Sequence, residues 1–210
     1  YLGDPGMGAV VADAVAAGAG AARLKLYLCD PVMGDADLAH GEGLYVRPEV
    51  PAVFRDTLVP LADIITPNRF ELGILTGHTL TEIRATRAAV AEIQQRMAAR
   101  GPRIVCVTFY DGADVPEDSV DTLLFCDEGT FRVRQPRLDR RFDGAGDVFA
   151  ALFLGYYLRT LNPVTALERA TATMVPLLAL TEERGLLDLA LTDALPFLVD
   201  ARTRFIAEQI

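Results

Sequence analysis

The stretch Leu24-Lys25-Leu26-Tyr27-Leu28-Cys29-Asp30-Pro31 decides the fold class. Its apolar run, Leu24–Cys29, stops at an Asp-Pro pair. That is the pattern of a buried parallel strand whose carboxyl end opens into a loop. Two more runs repeat it: Ala62–Thr66, closed by Pro67, and Arg103–Thr108. Helical segments alternate with them. Asp4-Pro5 opens an Ala/Val-rich helix to Ala17, ended by Gly18 and Gly20. Pro48–Leu61 is helical in pattern, Asn68 caps a segment reaching Leu75, and Thr81 starts a helix to about Arg100.

Farther along, Asp121–Cys126 and Thr130–Arg134 flank Asp127-Glu128-Gly129 as an antiparallel hairpin. Gly144–Tyr157, Pro163–Leu180 and Thr192–Glu208 complete the expected helices. Strand alternating with helix predicts a single α/β domain over residues 1–210, three-layered, with a mostly parallel central sheet flanked by helices. Ligands of such sheets sit at the carboxyl ends of the strands. Asp30, Asn68 and Thr108, each just past a strand, are therefore the first polar residues to consider.

Composition narrows the function classes. The formal net charge of −9 gives a long-range field of the wrong sign for nucleic acid or anionic membrane. A nucleotide is still compatible, because backbone N–H groups and a metal can hold it locally. The three cysteines, Cys29, Cys106 and Cys126, form no C-x-x-C pair and read as small hydrophobes in a reducing compartment. No apolar run approaches the roughly 18 residues of a membrane span and no signal peptide is expected, so the expected location is cytoplasmic.

Three segments carry candidate chemistry. Phe142-Asp143-Gly144-Ala145-Gly146-Asp147-Val148-Phe149 enters a helix through small residues. A helix start of that kind presents unpaired N–H groups and a positive dipole end to an anion. Asp147 beside it can take the proton of an alcohol attacking a phosphoryl group. In Cys29-Asp30-Pro31-Val32-Met33-Gly34-Asp35, the two carboxylates suit Mg²⁺ near phosphates. In Ile65-Thr66-Pro67-Asn68-Arg69-Phe70-Glu71, Asn68 and Glu71 share a helical face. Taken singly, these are equally a helix start, an Asx-Pro turn and an N-cap with Glu at N3. Together they fall on one rim of one expected sheet.

CDPVMGD at Cys29–Asp35, GLYV at Gly43–Val46, PLADIITPNRFELGILTG at Pro60–Gly77 and GAGDVFAALFL at Gly144–Leu154 make the sequence resemble the ribokinase superfamily, and within it the pyridoxal kinases. The resemblance runs from Tyr1 to about Leu180. It implies ATP-dependent phosphorylation of the 5′-hydroxyl of pyridoxal, with Mg²⁺ and with K⁺ as a further cation, in a homodimer. It implies Asp147 as the base and the amides of Gly144, Ala145 and Gly146 as the anion hole. Asp30, Thr66, Asn68, Glu71 and Thr108 would surround ATP. Gln135, Pro136, Arg137 and Leu138 would lie along the nucleotide, and Asp35 and Tyr45 would stand on its phosphate and cation side. Metal contacts of Asp30, Asp35 and Glu71 would run mostly through water and ATP. Tyr1 would pack on the pyridoxal ring.

Two departures accompany the resemblance. Arg141-Phe142 stands where the wider superfamily often has Asp-Thr, and Ala145 stands where some pyridoxal kinases have Thr. The resemblance also implies a further N-terminal part of the domain, expected to be missing before Tyr1. The nearest rival is a hydroxymethylpyrimidine kinase, which shares DPVM and ITPN; Asp147, Gly34-Asp35 and Gly43–Val46 favour pyridoxal kinase. From another class, a non-catalytic B6- or nucleotide-binding fragment is the alternative.

Overall fold

The structure is a computed structural model that describes residues 1–21, 26–36, 43–138, 142–195 and 205–210. The start of the expected first strand (Leu24, Lys25), Arg141 and most of the expected last helix lie outside the described residues.

Helix α1 (Gly6–Gly20) leads to strand β1 (Leu28–Cys29). Helix α2 (Val50–Val53) continues without a break through a π turn (Phe54–Leu58) and a 3-10 turn (Val59–Leu61). Strand β2 (Ile64–Ile65), helices α3 (Arg69–Thr76) and α4 (Ile83–Arg96) and strand β3 (Ile104–Tyr110) follow. The hairpin is β4 (Ser119–Cys126) with β5 (Gly129–Pro136). Helices α5 (Ala145–Thr160) and α6 (Pro163–Glu183) and strand β6 (Glu208–Gln209) complete the described elements.

The sheet has the order β1-β2-β3-β4-β5-β6. β1, β2 and β3 pair in parallel, and the remaining three pairings are antiparallel. The parallel part is the one that faces the candidate chemistry. The described sheet as a whole is mixed, since the hairpin and β6 extend it from the β3 edge.

Alternation along the strands builds the layers. Ile65, Val105, Val107, Leu123 and Phe125 pack with Leu58, Leu72, Val90 and Ile93 on one face. Ile64, Ile104, Cys106, Leu124 and Val133 pack with Phe149, Phe153, Ala170 and Leu177 on the other. Helices therefore cover both faces, giving the three expected layers. Each fully buried aliphatic or aromatic side chain contributes about 1.5–3 kcal/mol. Cys29 and Cys106 are buried free thiols, and Cys126 is a half-buried free thiol.

Some boundaries differ from the sequence expectation. α1 runs through Gly18 to Gly20, because a lone glycine costs a helix only about 1 kcal/mol. α4 begins at Ile83 rather than Thr81, and its first amide is taken by Asp114 Oδ2 at 3.2 Å. The helix expected over Thr192–Glu208 does not reach its end. Glu208–Gln209 is a strand on the β5 edge, held by two Arg132–Glu208 hydrogen bonds of 2.9 and 2.8 Å. Edge pairing overrides local helix preference there.

Candidate active site

Asp30 and Thr66 emerge just past β1 and β2, and Thr108, expected just past the third strand, lies inside β3 at its register shift; all three reach one rim. The Thr66 amide donates to Cys29 O at 3.2 Å and the Thr108 amide, within β3, to Pro67 O at 3.0 Å, carrying the pairing past the end of β2. The N-terminus of α5 faces this rim. Gly144 precedes it with φ +80°, a left-handed conformation that glycine adopts without a Cβ penalty. A Cβ on Gly146 would lie 3.9 Å from Asp30 Oδ2, and one on Gly144 would lie 4.0 Å from Asp147 Oδ2. The Asp30 and Asp147 carboxylates thus flank the glycine turn.

Asn68 and Glu71 form a complete capping box at the start of α3. Asn68 Oδ1 accepts from the Glu71 amide at 2.8 Å, and Glu71 Oε2 accepts from the Asn68 amide at 2.8 Å. The pair also reaches the loop after β1. Met33 N–H donates to Glu71 Oε1 at 2.9 Å, and Asn68 Nδ2 donates to Gly34 O at 2.8 Å. Gly34 is held so closely that a Cβ would lie 2.0 Å from Gly43 O. The bridge Gly34↔Leu44 brings Asp35 and Tyr45 to the same wall.

These residues surround a cleft of about 550 Å³. Asp30, Asp35, Tyr45, Thr66, Asn68, Glu71, Thr108, Arg137, Leu138, Ala145, Gly146 and Asp147 all line it. A smaller cavity of about 180 Å³ adjoins it, sharing Thr108, Phe109, Val120, Leu138, Ala145 and Gly146. Gln135 and Pro136 line this second space with Phe149, Met174 and Leu178. One space is polar and ringed by carboxylates, and the other is mostly apolar. A phosphate chain carried with its cation suits the first and a flat aromatic ring the second. Gly144 and Tyr1 line neither, and Tyr1 is 76% exposed. The Ala145 amide donates to Phe142 O at 3.2 Å, so within the turn it is already engaged.

Burial governs the electrostatics. It pushes the Asp30 carboxyl up to about 6, against the hydrogen bond from Thr66 Oγ1 and with help from the Asp147 charge. Burial also pushes Glu71 up to about 8, opposed by the amides of Asn68 and Met33. Asp30 Oδ2 is buried without a hydrogen-bond partner. An orphaned carboxylate oxygen facing a helix N-terminus fits a hard cation. No group of three or more His, Cys, Asp or Glu suited to a metal exists among the described residues. The single free Asp30 oxygen is a donor that a cation keeping most of its waters, such as Mg²⁺, could use.

Sequence reasoning missed Asp111, Phe109 and Thr171 among the lining residues. Asp111 accepts from Arg69 Nε at 2.8 Å and from Arg137 Nη2 at 3.1 Å across the polar cleft. Its position in the turn after β3 was the available signal. Phe109 follows Thr108 with φ +50°, at a register shift between Val107 and Tyr110, and borders both spaces. Thr171, on α6, lines the apolar cavity, and no local motif marks it.

Known proteins resemble this chain in sequence and fold. The sequence pattern of the phosphomethylpyrimidine kinase family matches residues 6–180. Pyridoxal kinase PdxY of Leifsonia xyli subsp. xyli is 40% identical over 210 residues, covering 100% of this chain and 71% of the relative. PdxY of Deinococcus radiodurans is 38% identical over 212 residues, covering 100% and 70%. The pyridoxal kinase of Leishmania donovani, solved with ADP and pyridoxamine, superposes with TM-score 0.83 at 26% identity, covering 100% of this chain and 71% of that one. The rim, the capping box and the glycine turn thus sit in a chain that belongs to the pyridoxal kinase family, within the phosphomethylpyrimidine kinases.

Proposed function

We propose that this chain transfers the γ-phosphoryl group of ATP to the 5′-hydroxyl of pyridoxal, forming pyridoxal 5′-phosphate. The observation that carries this reading is the meeting of Asp30, Asp147 and the Gly144–Gly146 turn at one rim, with the buried Asp30 Oδ2 facing Gly146. Relatives at 38–40% identity named pyridoxal kinase support the B6 substrate, and the ADP complex of the Leishmania donovani enzyme supports the nucleotide.

Each group then has a task. The apolar cavity takes the base, with Gln135–Leu138 along the nucleotide. The phosphates run through the polar cleft toward α5, whose first-turn amides and dipole favour negative charge. Asp147 Oδ accepts the proton of the 5′-hydroxyl as its oxygen attacks the γ-phosphorus and ADP leaves. Asp30, Asp35 and Glu71 would hold Mg²⁺ mostly through water and ATP, and the ion would supply neutralisation of phosphate charge. Asn68 and Glu71 hold the loop after β1 in place. Tyr1 joins the pyridoxal side in this reading, and the homodimer and cytoplasmic location belong to it too.

The deciding experiment offers pyridoxal and hydroxymethylpyrimidine separately with Mg·ATP and follows ADP release and the phosphorylated product. Preferred phosphorylation of pyridoxal, abolished by chelation, is expected. Preferred phosphorylation of hydroxymethylpyrimidine would replace this reading with its rival, and absence of any ATP-dependent product would end it.

A further inference from the structure

Five residues of α6 face the apolar cavity: Thr171, Met174, Val175, Leu178 and Ala179. Their spacing is that of one helical face. Thr171 is the polar one among them. It is 1% exposed, and its Oγ1 is buried with no hydrogen-bond partner.

That orphan is unusual within this chain. A helical threonine ordinarily satisfies its hydroxyl on the carbonyl one turn earlier. Thr76 does so on Leu72 O, Thr86 on Glu82 O and Thr160 on Tyr156 O, at 2.7, 3.1 and 2.8 Å. On α6 itself, Thr173 bonds Arg169 O at 3.0 Å and Thr181 bonds Leu177 O at 2.8 Å. Thr171 leaves its hydroxyl unpaired beside an apolar space, where valine would have the same shape without a buried polar group. Across the cavity, Gln135 Nε2 is already engaged with Thr122 Oγ1 at 3.2 Å.

We propose that Thr171 is a nucleobase-binding residue, whose hydroxyl meets the hydrogen-bonding edge of the base seated in the apolar cavity. This rests on the nucleotide reading above and extends it. A hydroxyl both donates and accepts, so it pairs with a ring nitrogen, a carbonyl or an exocyclic amine. It therefore selects ligands with a polar heteroaromatic edge at that depth over ligands lacking one. It does not by itself separate adenine from guanine.

The test compares wild type with Thr171→Val and Thr171→Ser. Calorimetry measures binding of Mg·ADP and, separately, of Mg·tripolyphosphate, which has no base. A melt of each unliganded protein accompanies them. Thr171→Val is expected to weaken ADP about threefold to tenfold, the range for one neutral hydrogen bond. It should leave tripolyphosphate unchanged and the unliganded melting temperature equal or higher. Thr171→Ser should restore ADP affinity to within about twofold. Equal ADP affinity in wild type and Thr171→Val would overturn the proposal, as would a parallel loss of tripolyphosphate binding. Wild type that binds tripolyphosphate but not ADP would overturn the nucleotide reading and this inference together.

Discussion

Thr66 Oγ1 donates to Asp30 Oδ1 at 2.9 Å, while the other oxygen of the same carboxylate is buried without a partner. The carboxylate is thus half satisfied by the protein, and this arrangement has a pH signature. Burial raises Asp30 from the ordinary carboxylate range to about 6. The native state therefore holds a proton that the unfolded chain has already released, and stability falls as pH rises between about 4 and 6. The cost is complete above that window. Asp30→Asn should therefore stabilise the ligand-free protein at pH 8 by up to about 3 kcal/mol, and hardly at pH 4. It should also weaken Mg·ATP. Melting curves at the two pH values, with and without Mg·ATP, check both halves.

Glu71 accepts a backbone amide on each oxygen, from Met33 and Asn68. Glu71→Gln keeps the shape but turns an amide donor toward one of those N–H groups. One buried amide is left unsatisfied, at a cost of about 1–3 kcal/mol. Denaturant unfolding above pH 8, where the Glu71 carboxyl is ionised, should report that loss. Hydrogen exchange at the Met33 amide should rise together with the KM for ATP. Full protection of that amide in the variant would refute the linkage.

Asp147 lies in the first turn of α5, at the mouth of the polar cleft. Asp147→Asn should lower kcat by about 10²–10⁴-fold, or ~3–5 kcal/mol in barrier, with ATP affinity within a few-fold of wild type. Single-turnover kinetics with pyridoxal isolates the chemical step. Near-normal turnover would remove Asp147 as the base; collapse of ATP binding would move it to the metal or nucleotide site.

Arg137 and Arg69 share Asp111 across the cleft. Incoming phosphates compete with that carboxylate for both guanidinium groups. Arg137→Ala should weaken ATP about fivefold to tenfold at low ionic strength, and the difference should shrink as salt screens this half-exposed pair. A titration of ATP affinity against NaCl for both proteins measures it.

The sequence exposed the rim because its markers are local. A strand ending in Asp-Pro, a Pro-Asn cap followed by Glu71, and a Gly-x-Gly-Asp helix start each depend on neighbours a few residues away. The joining of Glu71 to Met33 and of Asn68 to Gly34 spans more than thirty residues and left no local mark. Thr171 was hidden for another reason. In the sequence it is one threonine in a run of small residues, and only the absence of its expected bond to the preceding turn distinguishes it. The misread end of the chain follows the same rule, because Glu208 finds its partner Arg132 76 residues away.

The division of the interior into two cores bears on how nucleotide binding reports on folding. Asp147 and Thr171 ride on α5 and α6, anchored through the core on one face of the sheet. Asn68 and Glu71 ride on α3, anchored through the core on the other. A nucleotide bridging them registers only when both layers are docked at once, so its affinity acts as a coincidence detector for the two halves. Loosening either layer, even by a substitution far from the cleft, should register as weakened ATP binding before the far-ultraviolet signal of the helices changes.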